Sequence, residues 1–312
     1  MKIIVTGAAG FVGSHLCEKL LHNGHEVIGI DAMVREELKT IGARNLDSII
    51  DHPSFSFRTD NLQTLPWENV LPGVDMIYHL AGIPGVRSSW GADFGHYVSN
   101  NINVTQRLLE ACKGMPLKKF VFVSTSSVYG EKPGKVSEDA LPSPLSPYGV
   151  SKLTGEHLCR VYATNEGLPV VILRYFTVYG PRQRSDMAFH RFIKQILTDR
   201  PITLYGDGNQ SRDFTFVLDC AEATAAVAEA DHVVGETINI GGKERASIRD
   251  VIALLEKLTG KNAKVDRIGG LKGEPMHTWA DISKAERLLG YSPKVSLEEG
   301  LLQEIAYVRS LL

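Results

Sequence analysis

The stretch Lys2-Ile3-Ile4-Val5-Thr6-Gly7-Ala8-Ala9-Gly10-Phe11-Val12-Gly13 decides the fold. A β-rich apolar run passes into a glycine turn spaced G-x-x-G-x-x-G, and helical periodicity follows over residues 13–21. Glycines allow the tight turn and a close approach of backbone to phosphate. The helix start then offers free N–H groups and a positive dipole end to a pyrophosphate. Working outward, residues 26–30, 55–58, 76–79, 120–123 and 170–173 read as further strands. Residues 93–112 and 148–164 carry helical periodicity between them. Such alternation predicts a parallel sheet covered by helices on both faces. Asp31 ends the second strand, where a carboxylate accepts hydrogen bonds from an adenosine ribose and repels a 2′-phosphate. NAD is therefore expected rather than NADP. His79-Leu80-Ala81-Gly82 ends a later strand at the carboxyl edge, where such sheets bind ligands.

Beyond residue 174 the rhythm becomes irregular. A helix is expected around residues 187–197, then turns at Gly206-Asp207-Gly208 and Arg212-Asp213-Phe214. A helix at 220–230, a strand at 237–240 and a helix at 248–258 follow. The predicted class is α/β: a Rossmann-type doubly wound parallel sheet with a smaller mixed α/β substrate domain. The expected division is 1–175 for NAD and 176–312 mainly for substrate, with the strand near 237–240 returning to the main sheet.

The 312 residues allow one large or two ordinary domains. Hydrophobic residues at 43% and charged residues at 22% suit a globular chain and exclude extensive disorder or coiled coil. Lys+Arg 34 against Asp+Glu 36 leaves no global basic excess for nucleic acid. Apolar runs such as residues 121–123 and 170–173 are too short to span a bilayer, and no secretory signal is read at the start. Cys17, Cys112, Cys159 and Cys220 lie far apart without C-x-x-C or metal-ligand spacing, so free thiols in a reducing cytoplasm are expected, and no metal. His15 and His157 sit in helical patterns and read as packing residues.

Tyr148-Gly149-Val150-Ser151-Lys152 puts Tyr and Lys four apart on one helix face. A free phenol with pKa about 10 is a poor base at neutral pH, but an adjacent ammonium favours the phenolate. Lys152 can also hold a nicotinamide ribose. Ser124-Thr125-Ser126-Ser127 ends the fifth strand, where a hydroxyl can share the substrate proton with the tyrosine.

Over essentially its full length the chain resembles the extended short-chain dehydrogenase/reductase family. The matching pieces are Gly7–Gly13, Asp31, Asp60-Asn61-Leu62, Leu80-Ala81-Gly82, Asn101-Ile102-Asn103-Val104-Thr105, Ser124–Gly130 and Tyr148–Lys152. Leu173-Arg174-Tyr175-Phe176-Thr177-Val178-Tyr179-Gly180-Pro181, Tyr205-Gly206-Asp207-Gly208 and Ser211-Arg212-Asp213-Phe214 match in the second half. Gly85-Val86-Arg87 and Arg182-Gln183-Arg184-Ser185-Asp186-Met187-Ala188 are similar to the UDP-glucuronate 4-epimerases within it. The resemblance implies retained NAD held by Gly7, Gly10, Phe11, Val12, Gly13, Asp31, Asp60, Asn61, Leu80, Ala81, Gly82, Asn101, Ser124, Tyr148, Lys152 and Tyr175. It implies a UDP-sugar at Arg87, Thr125, Ser126, Ser127, Tyr148, Thr177, Arg184, Ala188, Phe189, Thr203, Tyr205, Arg212 and Glu274. Thr125, Tyr148 and Lys152 are then catalytic. Arg212 binds phosphate, and Thr203 and Tyr205 fall where the family holds uracil. The helices at 93–112 and 148–164 pair in a homodimer. Two departures stand out: Ser185 replaces an expected proline, and Leu271-Lys272-Gly273-Glu274 replaces Arg-x-Gly-Asp.

The implied reaction oxidises the sugar at C4, turns the 4-keto sugar over and reduces its other face, leaving NAD unchanged. From glucuronate the intermediate is a β-keto acid that can lose carbon dioxide, so its carboxylate must be held. Arg184, with Ser126, Ser127 and Thr177, offers suitable donors. A UDP-glucuronate decarboxylase would promote that loss, and a UDP-glucose 4-epimerase would need no cation at C6. A 4,6-dehydratase would need an Asp-Glu pair where Ser126-Ser127 stands. The non-enzyme alternative is an NAD-sensing regulator, against which the complete Thr125, Tyr148 and Lys152 set argues.

Overall fold

The computed structural model describes residues 1–34, 36–269 and 273–312. Strands β1 (Lys2–Thr6), β2 (Glu26–Ile30), β3 (Phe55–Arg58), β4 (Met76–His79), β5 (Lys119–Thr125) and β6 (Val170–Tyr175) form one parallel sheet, completed by a later strand, β10 (Thr237–Ile240). The strand order is β10-β6-β5-β4-β1-β2-β3. Neighbouring residues of β1 show why it has two covered faces. Ile3 and Val5 enter one core with Leu16 and Leu20 of helix α1 (Phe11–His22), while Ile4 enters another with Leu108 and Leu109. At about 25 cal/mol per Å² of apolar area removed from water, such two-sided burial is the main stabilising term. The expected doubly wound sheet is what the chain forms. The order reverses between β1 and β4, which opens a crevice at the strands' carboxyl ends.

Helix α2 (Glu36–Leu46) follows β2. The helical path expected over 93–112 is broken into α3 (Phe94–Tyr97), a π-helical turn (Val98–Asn103) and α4 (Val104–Ala111). Helix α5 (Pro147–Glu166) starts where the Ser146 hydroxyl accepts the Gly149 N–H, with proline at its first position.

In the second half, β7 (Thr177–Tyr179), β9 (Ser211–Phe216) and β11 (Glu244–Ser247) form a sheet ordered β11-β9-β7, and β8 (Ile202–Tyr205) pairs with β12 (Val265–Ile268). Arg212-Asp213-Phe214, expected as a turn, lies inside β9, because Phe214 and Phe216 join the core of this region. That core also takes Phe189 and Phe192 of α6 (Ala188–Leu197), Leu255 of α8 (Ile248–Thr259) and Leu301 of α10 (Leu297–Arg309). The other second-half helices, α7 (Val217–Ala226) and α9 (Ser283–Leu289), instead pack Val217, Cys220 and Ala285 into the main-sheet core. The return of β10 to the main sheet is observed, parallel to β6.

Candidate active site

A cleft of about 730 Å³ runs along the carboxyl ends of the strands and under the second half. At one end is the glycine turn. Gly7 has φ +75°, and a Cβ on Gly13 would stand 2.0 Å from the Gly7 carbonyl oxygen. Only bare backbone lets α1 start this close to β1. No side chain caps Gly10 at the helix start and no acidic residue lies in the first turn, so the dipole end faces the cleft unneutralised. Asp31 lies beside it, accepting N–H groups from Ala9 at 3.2 Å and Met33 at 2.9 Å. Burial raises the Asp31 pKa, and these two donors oppose the rise. This chemistry fits a dinucleotide: an uncapped helix start with free N–H groups and a carboxylate for ribose hydroxyls.

Phe11, Val12, Asn61, Leu80, Ala81, Gly82, Ser124 and Tyr175 complete this wall. Two expected residues do not. Asp60 turns to Arg58, whose Nε donates at 2.6 Å. Asn101, inside the π-helical turn, accepts the Ile83 N–H at 2.7 Å and donates to the Ile83 carbonyl and the Ser151 hydroxyl, both at 3.0 Å. It therefore braces the Gly82–Ile83 loop against α5. A relay behind it was not foreseen. Thr6 Oγ1 lies 2.8 Å from His79 Nδ1, His79 Nε2 lies 3.0 Å from Thr105 Oγ1, and Thr105 donates to the Asn101 carbonyl. Because Thr105 spends its proton there, His79 Nε2 carries one. The buried imidazole stays neutral, its pKa pressed to about 3 by burial and the Lys152 charge. A histidine closing a β-strand was the available sequence signal.

Mid-cleft, Thr125 at the end of β5 stands beside the Tyr148 phenol, and its hydroxyl donates to Ser127 Oγ at 3.3 Å. Tyr97 packs edge-on against Tyr148, with ring centroids 6.2 Å apart. Burial raises the phenol pKa, Thr125 and the Arg184 charge pull it down, and the chain's own groups leave it above the ordinary value. The expected lowering by Lys152 is therefore not what the chain alone produces. Lys152 stands 4.3 Å from the centroid of the Phe122 ring, and burial brings its pKa down to about 8. One turn on, buried Glu156 accepts Ser124 Oγ at 2.6 Å and Arg174 Nε and Nη2 at 2.9 and 2.6 Å. Burial would neutralise that carboxyl, but Arg174 keeps it charged.

At the far end lie Ser126, Ser127, Thr177, Ala188, Phe189, Thr203 and Tyr205. Glu274 bridges two arginines there, accepting Arg87 Nε at 3.1 Å and Arg212 Nη2 at 3.2 Å. The Arg87 guanidinium lies 4.2 Å over the Tyr205 ring. Arg184 faces the cleft with its fork on Asp186, both bonds at 2.9 Å. Leu271 and Lys272 of the departing motif lie outside the described residues.

A dinucleotide cradle, a tyrosine with a hydroxyl partner and an arginine-lined far end define a nucleotide-dependent enzyme acting on an anionic, hydroxylated ligand. The chain belongs to the NAD dependent epimerase/dehydratase family, whose model matches residues 3–241. The uncharacterised UDP-glucose epimerase YtcB of Bacillus subtilis is 56% identical, over 100% of this chain and 99% of that one. A UDP-glucuronate 4-epimerase of Thermodesulfobacterium geofontis is 39% identical, over 97% and 94%. UDP-glucuronic acid 4-epimerase from Bacillus cereus, solved with UDP-glucuronic acid and NAD, superposes with TM-score 0.98 at 57% identity over 100% of both chains.

Proposed function

We propose that the protein is an NAD-dependent isomerase that epimerises UDP-glucuronate at C4 to UDP-galacturonate. The observation that carries this reading is a guanidinium, Arg184, placed in one cleft with the Thr125–Tyr148 pair. Bound NAD supplies hydride acceptance and return at the sugar carbon. Gly7, Gly10, Gly13 and Asp31 would hold its pyrophosphate and adenosine ribose, and Lys152 its nicotinamide ribose. Tyr148 takes and returns the 4-hydroxyl proton, and Thr125 orients it. Arg212 and Arg87 bind the diphosphate, with Tyr205 and Thr203 at the base. Arg184, Ser126, Ser127 and Thr177 hold the C6 carboxylate out of the alignment that releases carbon dioxide. To do so Arg184 exchanges Asp186 for the substrate.

That existing pair favours a second reading, UDP-glucose 4-epimerisation, in which Arg184 never leaves Asp186. Proton NMR of products from UDP-glucuronate and, separately, from UDP-glucose, without added NAD, separates the outcomes. The galacturonate signal supports the first reading, and turnover of UDP-glucose alone supports the second.

Residues 1–175 serve NAD and 176–312 mainly the sugar nucleotide. We place the protein in a reducing cytoplasm on its four buried free cysteines. We also read it as a homodimer through α5 and residues 94–111, since Val150 and Val161 are exposed on α5. Light scattering at the mass of one chain, at micromolar concentration, would refute the dimer.

A further inference from the structure

The loop that carries Arg184 is tied to α1, the helix that opens at the glycine turn. Leaving β7, the chain passes Gly180, whose N–H donates to buried Glu304 of α10 at 3.0 Å. The Pro181 carbonyl accepts His15 Nε2 at 3.0 Å. Arg182 then adopts φ +68°, in the left-handed region that side-chain-bearing residues rarely enter. Its Nη2 donates to Glu18 Oε1 at 2.6 Å and its Nη1 to Ser14 Oγ at 3.2 Å. Ser14 and Glu18 are four apart on α1 and present both acceptors on one face. The Ser48 hydroxyl also donates to Glu18. Burial works against the Glu18 charge, but hydrogen bonds from Arg182 and Ser48, with the His15 ring 3.6 Å away, hold its pKa at about 2. After this turn Gln183 points inward, accepting the His190 N–H at 3.1 Å, and Arg184 faces the cleft. Neither Glu18 nor Arg182 lines the cleft.

We propose that the Glu18–Arg182 pair is a positioning device: it pins the roof loop in its left-handed turn onto the dinucleotide helix and so sets where Arg184 stands over the sugar. A right-handed conformation at residue 182 would redirect the chain two residues before Arg184. The anchored turn thus makes the carboxylate clamp a property of two elements distant in sequence. The proposal rests on the epimerase reading above for its catalytic consequence.

The test uses the full-length enzyme as purified, with E18Q, R182G and the double variant. Glycine accepts the left-handed turn freely, so R182G keeps the fold while removing the tether. Its Tm should stay within about 4 °C of wild type. In both single variants, kcat on UDP-glucuronate should fall about tenfold, since a small misplacement far from the chemistry is costly there. The decarboxylated share of product should rise, with KM and NAD content little changed. Amides of residues 183–187 should exchange hydrogen faster, and the double variant should be no worse than either single one. Wild-type kcat and product ratio in E18Q and R182G would overturn the proposal. So would additive losses, or losses that merely track NAD content. Unchanged exchange at 183–187 overturns the tether whatever the sugar, whereas a wild type that makes no galacturonate overturns the epimerase reading instead.

Discussion

The two ends of the cleft are built by opposite means. The dinucleotide end depends on side chains that are missing: at Gly7 and Gly13 a Cβ would strike Ala81 or Gly7 backbone. The sugar end depends on long charged side chains already paired with each other, Arg87 and Arg212 on Glu274 and Arg184 on Asp186. A backbone cradle has little to rearrange and tolerates little change. A set of ion pairs can exchange one carboxylate for another, so the far end can adjust to its ligand while the glycine turn cannot.

The largest effect should fall between the two ends. Tyr148→Phe should lose about 10²–10⁴-fold in kcat while keeping NAD and UDP-sugar binding, the usual loss for a positioned acid–base group. Near-wild-type turnover would remove Tyr148 from its role.

The next pair sets one charge at each end against the other. A hydrogen bond to a charged group is worth about 1.5–3 kcal/mol, or about 10–150-fold. Arg184→Ala should cost that much on UDP-glucuronate, spare UDP-glucose binding and leak toward the 4-keto-pentose and carbon dioxide. Asp31→Ala should instead reduce retained NAD and relax discrimination against NADP, with product identity unchanged. Product NMR and the nucleotide released on denaturation read both. If each variant disturbs both properties, the division between the ends fails.

Lys152 tests the boundary by pH. Its folded pKa of about 8 lies below the ordinary value of 10.5. Between those values the unfolded chain binds more protons than the native one, so this residue's contribution to stability rises with pH there. Over the same window the Lys152 ammonium assigned to the nicotinamide ribose is lost, so kcat should decline above pH about 8. Lys152→Met should flatten both trends in paired melting and rate profiles.

The smallest effect belongs to Glu274→Gln. Each ion pair it makes is partly exposed, and such pairs contribute about 0.2–1 kcal/mol. A shift of KM for UDP-sugar by at most about fivefold, with kcat and NAD content constant, is expected from that range. A large loss of NAD would show that the far end supports the cradle after all.

The first half was legible because its cues are local. An apolar run, a glycine turn and a helix in immediate succession admit one arrangement, and the Tyr148–Lys152 spacing needs a single helix turn to bring the groups together. The second half was less so. β12 is exposed along its length and carries no apolar face to read, and Arg212-Asp213-Phe214 looks like a turn until Phe214 finds a core built from five other elements. The capping boxes Ser247–Asp250 and Ser296–Glu299 were usable signals for α8 and α10, and only the first of these helices was anticipated.

Thus sequence alone determined the parallel sheet, the glycine turn that opens α1, the Tyr148–Lys152 helix face and the inward strand at 237–240. Each rests on periodicity or on residues a few positions apart. Tertiary structure decided the rest: Asn101 as a brace set in a π-helical turn and His79 as a neutral link. It also decided the Arg182 turn tied to Glu18, 164 residues away. The physical reason is that hydrogen bonds and ion pairs have no sequence period. Which carboxylate an arginine meets is settled only when separate elements pack together.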